Sequence, residues 1–174
     1  MDIKRINDTF SVSGQITEAD LPALQQAGVR TLICNRPDKE APDQPEFAAL
    51  ASAAQALGMQ CHLLPVVHDT INSAQVRAFT TLMETLETPV HAWCRSGLRS
   101  VTLWSLSRLQ QGAAMDEVLA APQSSGFDFA AFPNVRRWYD TICQRPQFNS
   151  AVLEWRKSAK WEQIVEQRNA NKTH

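Results

Sequence analysis

The sequence predicts an α/β fold: a small three-layer domain with a mostly parallel sheet over residues 1–125, then a helical extension over 126–174. Three observations lead there. Short β-rich apolar runs alternate with helical stretches, the succession that a parallel sheet with right-handed crossovers requires. Hydrophobic residues are 44% of 174, enough to bury one core with an appendage. From about Met115 onward the pattern is helical only.

The elements follow in order. Phe10-Ser11-Val12-Ser13 reads as a short strand, followed by Gly14-Gln15. Thr17 caps a helix from about Glu18 to Ala27, with Asp20 at the capping-box position, Leu21, Leu24 and Ala27 on one face, and Gly28 ending it. Val29 to Cys34 is a buried strand, and Asn35 to Pro45, with three prolines, is a loop. Phe47 to Leu57 is an alanine-rich helix stopped by Gly58, and Met59 to Val67 is a strand. After the loop His68-Asp69-Thr70, Asn72 caps a third helix to about Glu84, with Gln75 completing a capping box. Pro89 to Trp93 is a strand, and Ser100 to Gln111 a helix with Val101, Leu103, Trp104 and Leu106 inward. In the extension, Pro133 stands at a helix start, and Arg145-Pro146 separates a last helix, Asn149 to Arg168.

Seventeen Lys and Arg oppose eighteen Asp and Glu, a net charge of -1. This argues against nucleic acid as the main partner, because phosphate neutralisation needs a basic surplus. No apolar run approaches the ~20 residues of a membrane span. Met1-Asp2-Ile3-Lys4-Arg5 lacks the apolar stretch of a signal peptide, so a cytoplasmic protein is expected. The balance conceals an asymmetry: residues 133–174 carry eight basic against four acidic residues, +4, and residues 1–132 nine against fourteen, -5. The basic end is a solvated helix face, or it docks on the acidic domain.

Of the four cysteines, Cys34, Cys61 and Cys143 stand in apolar or helical contexts and are expected to be buried small hydrophobes. No Cys-x-x-Cys pair supports a redox site or a zinc ribbon, and His91-x-x-Cys94 and Cys61-His62 are incomplete metal sets; no cofactor or metal is expected.

Cys94 is different. His91-Ala92-Trp93-Cys94-Arg95-Ser96-Gly97-Leu98-Arg99-Ser100 lies between a strand and a helix. In an open parallel sheet, ligands bind at the carboxyl ends of strands. A helix amino end there presents free N–H groups to anions. Gly97 permits backbone angles that other residues resist, and a thiol in such a nest beside a guanidinium favours the thiolate. Cys94 is therefore a candidate nucleophile and Arg99 a clamp for an anionic substrate. Arg95, Ser96, Gly97, Leu98 and Ser100 are candidate substrate-binding residues, with Ser100 capping the helix or bonding the sulfur. The structural alternative is a cysteine buried at a strand end beside a surface arginine.

Cys-x-x-Gly-x-Arg-Ser after a strand resembles the active-site loops of rhodanese-type sulfurtransferases and of cysteine phosphatases. Phosphatase loops put five residues between cysteine and arginine and rhodanese loops typically four; here there are four. Further blocks, in order, are Ser13-Gly14-Gln15, Ile33 to Glu40, Gln44-Pro45, Pro65-Val66 and Cys94 to Ser100. Together they resemble the bacterial phosphatase-like family that also occurs fused to metallo-β-lactamase-fold proteins, the β-lactamase hydrolase-like proteins. The resemblance implies a phosphatase-like or rhodanese-like domain. It departs from the family at Trp93, where the family often has histidine, and the clustered His/Asp ligands of the metallo-β-lactamase partner are absent from these residues. Phe132 to Asp140 and Arg145 to Phe148 resemble the C-terminal helices of glutathione transferases, which implies a packing motif or a glutathione contact.

Asp69 is the candidate general acid, or a loop carboxylate facing water. His68 beside it orients substrate or plays no part. Arg36 adds positive field at the rim or pairs with Asp38. The expected activity is sulfurtransfer: Cys94 takes the outer sulfur of thiosulfate or glutathione persulfide and passes it, as a persulfide, to a second nucleophile. The rivals are a phosphatase working through a phosphocysteine and a non-enzymatic anion- or persulfide-binding module. The expected partners are a small anionic sulfur or phosphate substrate and a second copy of the chain, in a homodimer through the C-terminal helices.

Overall fold

The computed structural model describes residues 1–67 and 70–127. His68, Asp69 and the extension from residue 128 lie outside the described residues, and with them Cys143 and the glutathione-transferase-like segment. The described residues belong to one unit, Met1–Phe129.

Ten labelled elements occur: β1 (Lys4–Arg5), β2 (Phe10–Ser13), α1 (Leu21–Gln26), β3 (Thr31–Cys34), α2 (Phe47–Ala56), β4 (Gln60–Leu63), α3 (Ser73–Thr85), β5 (Val90–Trp93), α4 (Leu98–Gln110) and α5 (Met115–Ser124). The sheet order is β1-β2-β5-β3-β4. β2, β5, β3 and β4 run parallel, and β1 pairs antiparallel with β2 at the edge. The α/β class and mostly parallel sheet are as the sequence indicates; β1, only two residues long, carries no alternating signal to find.

Helices cover both faces. On one, Trp93 of β5, Leu32 and Cys34 of β3, Leu21 and Leu24 of α1, and Leu50 of α2 form one buried cluster. Phe47 stacks on Trp93 there, ring centroids 6.5 Å apart. On the other, Phe10 meets Phe79 of α3 edge-on and stacks on Trp104 of α4, both at 6.1 Å. Burying one large aromatic side chain removes some 150–250 Å² from water, so these few rings weigh heavily in holding the layers.

Local departures have local causes. The first helix begins as a 3-10 turn, Glu18–Asp20, because Pro22 lacks the N–H that would bond back to residue 18. The Thr17–Asp20 box forms, with Thr17 N–H donating to Asp20 Oδ2 at 2.8 Å. Of the apolar face, Leu21 and Leu24 are buried and Ala27 is exposed: the helix has ended at Gln26, and Val29 is buried beyond it. β4 stops at Leu63, although Leu64 N–H still donates to Cys34 O at 2.8 Å and Val66 N–H to Asn35 O at 3.1 Å beyond it. Asn72 caps α3, accepting from Ala74 and Gln75 N–H groups at 3.0 and 3.1 Å. α4 starts two residues before the expected Ser100, with Gly97 at its N-cap. Cys61 is half-buried, since it lies on the sheet-edge strand β4, not fully buried as expected. Among the described residues no helix is long and apolar enough to cross a membrane.

Candidate active site

β5 lies between β2 and β3, so the loops leaving those two strands flank the residue that follows it. That residue is Cys94, fully buried. Its N–H reaches Ser13 O at a long 3.5 Å. The Gly97 N–H donates to Cys94 Sγ at 3.2 Å. That bond depends on Gly97 having φ +86°, in the left-handed region. A side chain there would also be crowded: its Cβ would stand 3.2 Å from both Ser13 O and Phe127 Cζ, so one of them would have to give way. α4 starts at once, and its free amino-terminal N–H groups are the ordinary means of holding an anion.

Arg99, in the first turn of α4, is buried. Its Nη1 donates to Val66 O at 2.9 Å and its Nη2 to Glu40 Oε2 at 2.7 Å. The same Glu40 oxygen accepts from Arg36 Nε at 2.7 Å, and Arg36 Nη1 donates to Gln15 Oε1 at 2.8 Å. Hydrogen bonds from Arg99 and then Arg36 hold the Glu40 carboxyl down at about 2, against the cost of burial. For Arg99, burial acts to lower the pKa, but the Glu40 bond, the coulombic pull of Cys94 and Glu40, and a bond to Cys94 together outweigh it, and the guanidinium is held above its ordinary value.

His91, fully buried on β5, places Nδ1 2.9 Å from Ser11 Oγ and Nε2 2.9 Å from Ser13 Oγ. The Ser13 hydroxyl gives its proton to Gly14 O at 2.8 Å. Nε2 must therefore carry the ring proton and donate to Ser13, while Nδ1 accepts from Ser11. Burial lowers the imidazole pKa to about 4, which keeps this tautomer neutral.

The candidates named from sequence divide as follows. Cys94, Gly97, Leu98, Arg99 and Ser100 share one loop and the first turn of α4. Arg36 joins them through Glu40. Arg95 and Ser96 are exposed on the outer side of the loop. Asp69 and His68 lie outside the described residues. Two expectations need correction. Arg36 pairs with Glu40, not Asp38; the chain turns at Lys39, φ +62°, and Asp38 instead accepts the Phe47 N–H at the start of α2. Ser100 does not cap α4, because the helix has already begun, and among the described residues its buried hydroxyl has no hydrogen-bond partner, the sulfur included.

Cys34 donates to Arg36 O at 3.3 Å, and burial pushes its thiol up to about 12; burial does the same to Cys61. Sequence reasoning assigned no role to Glu40, Gln15 or Phe127. Gln15 and Glu40 do fall within the blocks that resemble the family, and Glu40 stands four residues after Arg36; Phe127 lies outside those blocks.

A three-layer α/β sheet with a buried cysteine and an arginine in one strand-to-helix loop is the frame of the phosphatase-like α/β proteins. The family described as beta-lactamase hydrolase-like protein, phosphatase-like domain, matches residues 2–114, and the chain belongs to it. A beta-lactamase hydrolase-like protein of Agrobacterium fabrum is 34% identical over 148 residues, 78% of this chain and 34% of its own length. The chain thus spans about a third of the length of the curated relatives it matches. Among solved structures, a Neisseria meningitidis protein described as a candidate phosphatase is 34% identical, with a TM-score of 0.71 over 79% of this chain and 96% of its own. P. aeruginosa TpbA, solved in complex with pTyr, has a TM-score of 0.61 at 15% identity, covering 90% and 91% of the two chains; at that identity the likeness is one of fold.

These comparisons overturn the sulfurtransferase reading: the family is phosphatase-like, and the neighbouring structures are phosphatases or described as such. They give no support to a glutathione persulfide partner, a homodimer or a glutathione-transferase-like tail. The loop count misled for a physical reason. Leu98 is already the first residue of α4, so only Arg95, Ser96 and Gly97 form the loop between Cys94 and the helix. The spacing of four therefore mixes loop size with helix start and does not measure the width of the anion site.

Proposed function

We propose that the chain is a cysteine-dependent phosphatase acting on phosphate monoesters. The observation that carries this reading is the arrangement at Cys94: a sulfur receiving the Gly97 N–H at 3.2 Å, beside an Arg99 fixed by Glu40 at 2.7 Å. Membership of the phosphatase-like family supports it.

The Cys94 sulfur attacks phosphorus; the S–P bond forms as the P–O bond to the alcohol breaks. Arg99 spends one N–H of each terminal nitrogen on Val66 O and Glu40. A guanidinium has five N–H groups, so three remain for phosphate oxygens. The loop N–H groups from Arg95 to Leu98 supply the rest of the anion site. Asp69 protonates the leaving alcohol and then takes a proton from the water that cleaves the phosphocysteine, releasing phosphate. It lies three residues along the chain from Val66, a span of at most about 11 Å. The unpaired Ser100 hydroxyl donates to the sulfur as it leaves phosphorus, and Arg95 and Ser96 meet the remainder of the substrate. Phosphotyrosine and small aryl phosphates are the substrate class.

The test is hydrolysis of an aryl phosphate by the wild-type chain and by Cys94→Ser, with acid quench and intact mass during turnover. Activity lost in Cys94→Ser, and a phosphoryl adduct on Cys94 in the wild type, are expected. Equal turnover by the two proteins rejects the proposal.

A further inference from the structure

We propose that Phe127, which lies outside the family-matched residues 2–114, is a positioning residue for the cysteine loop. The inference rests on the phosphatase reading only for what the loop does, not for how it is held.

α5 ends in a turn that aims this ring. Gly126 has φ +84°, the Gly126 N–H donates to Gln123 O at 3.0 Å, and the Phe127 N–H donates to Pro122 O at 2.9 Å. This paired bonding across a left-handed glycine is the Schellman arrangement, which reverses the chain and places an apolar residue beyond it. Phe127 is thereby buried, 7% exposed, with Lys4 Nζ over its ring at 4.6 Å from the centroid. The tip of the ring abuts Gly97: a Cβ there would meet Phe127 Cζ at 3.2 Å and Ser13 O at the same distance.

Gly97 is the residue whose N–H reaches the Cys94 sulfur. Its left-handed backbone is one of several that glycine adopts readily, so glycine alone does not enforce it. The enforcing wall has two parts. Ser13 O is backbone, on the strand held by His91. Phe127 is a side chain delivered by the end of α5. Removing the ring leaves a void beside the most permissive residue of the loop, and the loop gains alternatives in which the Gly97 N–H no longer faces sulfur.

The experiment uses the full chain as wild type, Cys94→Ser, Phe127→Ala and Phe127→Leu, with p-nitrophenyl phosphate as probe. Steady-state kinetics are read beside amide hydrogen exchange of peptides covering 94–100 and, as reference, 31–34 and 60–63. For Phe127→Ala, kcat is expected to fall about tenfold with KM within about twofold, because the loop geometry changes rather than the binding rim. Exchange is expected to quicken in 94–100 while the reference strands stay as in the wild type. Phe127→Leu, which keeps an apolar contact, recovers most of both. Unchanged kcat and unchanged 94–100 exchange in Phe127→Ala overturn the proposal. So does equal acceleration in all three peptides, which marks a merely structural residue. A wild type that turns over no aryl phosphate sinks the phosphatase reading, and the exchange comparison still decides whether Phe127 holds the loop.

Discussion

Glu40→Gln tests whether one carboxylate organises the site. It keeps the shape of the side chain and one acceptor oxygen but removes the charge that Arg36 and Arg99 share. The magnitude follows from the carboxyl held at about 2 against an ordinary 4.5. That difference corresponds to about 3.4 kcal/mol at 1.36 kcal/mol per pH unit. The Glu40 side chain is 29% exposed, so solvent screening brings the expected loss nearer about 1–2 kcal/mol. The depressed carboxyl stabilises the fold fully above 4.5, and the contribution is lost as pH falls through about 2. Urea titrations of wild type and Glu40→Gln at pH 7 should therefore differ by about 0.5–1 M in midpoint, taking slopes near 2 kcal/mol/M. The gap should close toward pH 2. Aryl phosphate turnover should fall about 10–100-fold, because Arg99 loses its fixed orientation. A midpoint gap that is absent at pH 7, or that persists unchanged at pH 2.5, would refute the reasoning.

Three further outcomes are expected. Gly97→Ala forces a side chain onto a φ of +86° and into contacts at 3.2 Å; the conformational cost alone is about 1–2 kcal/mol, and turnover should be nearly abolished, measured by melting and by aryl phosphate kinetics. His91, neutral and buried with its pKa lowered to about 4, makes wild-type stability fall as pH drops from 6.5 to 4, by up to about 3 kcal/mol; His91→Gln should remove that slope in urea titrations across the window, and a slope that survives contradicts the buried neutral imidazole. Asp69→Asn should lower kcat about 10²–10⁴-fold on a phenyl phosphate but far less on p-nitrophenyl phosphate, whose leaving group needs little protonation; equal losses on both would remove Asp69 from the acid role.

The layers were legible because their signals are local. Thr17 with Asp20 and Asn72 with Gln75 announce helix starts by side chains that bond within three residues. Gly97 between Cys94 and Arg99 announces a tight turn at a strand–helix junction. What escaped depends on contacts distant in sequence. Glu40 reaches Arg99 across 59 residues, and His91 reaches Ser13 across 78. Phe127 meets Gly97 only because a left-handed glycine turns α5 back. Counting four residues between cysteine and arginine failed similarly: the number is local, but it mixes the loop with the first turn of α4, which already begins at Leu98.

Those distant contacts converge. The loop after β2 supplies Gln15, which accepts from Arg36. The loop after β3 supplies Arg36 and Glu40, and the chain after β4 supplies the Val66 carbonyl. The helix after β5 supplies Arg99, bonded to both Glu40 and Val66. Every parallel strand of the sheet thus sends at least one member of a single hydrogen-bonded set to its carboxyl end. The two guanidiniums are buried, and a buried charge without its partner is costly, so the set is stable only when complete. Arg99 takes its orientation from the finished sheet rather than from its own helix. A loop of this sequence grafted alone would carry Cys94 and Arg99 five positions apart and still lack the carboxylate and carbonyl that hold the arginine in place.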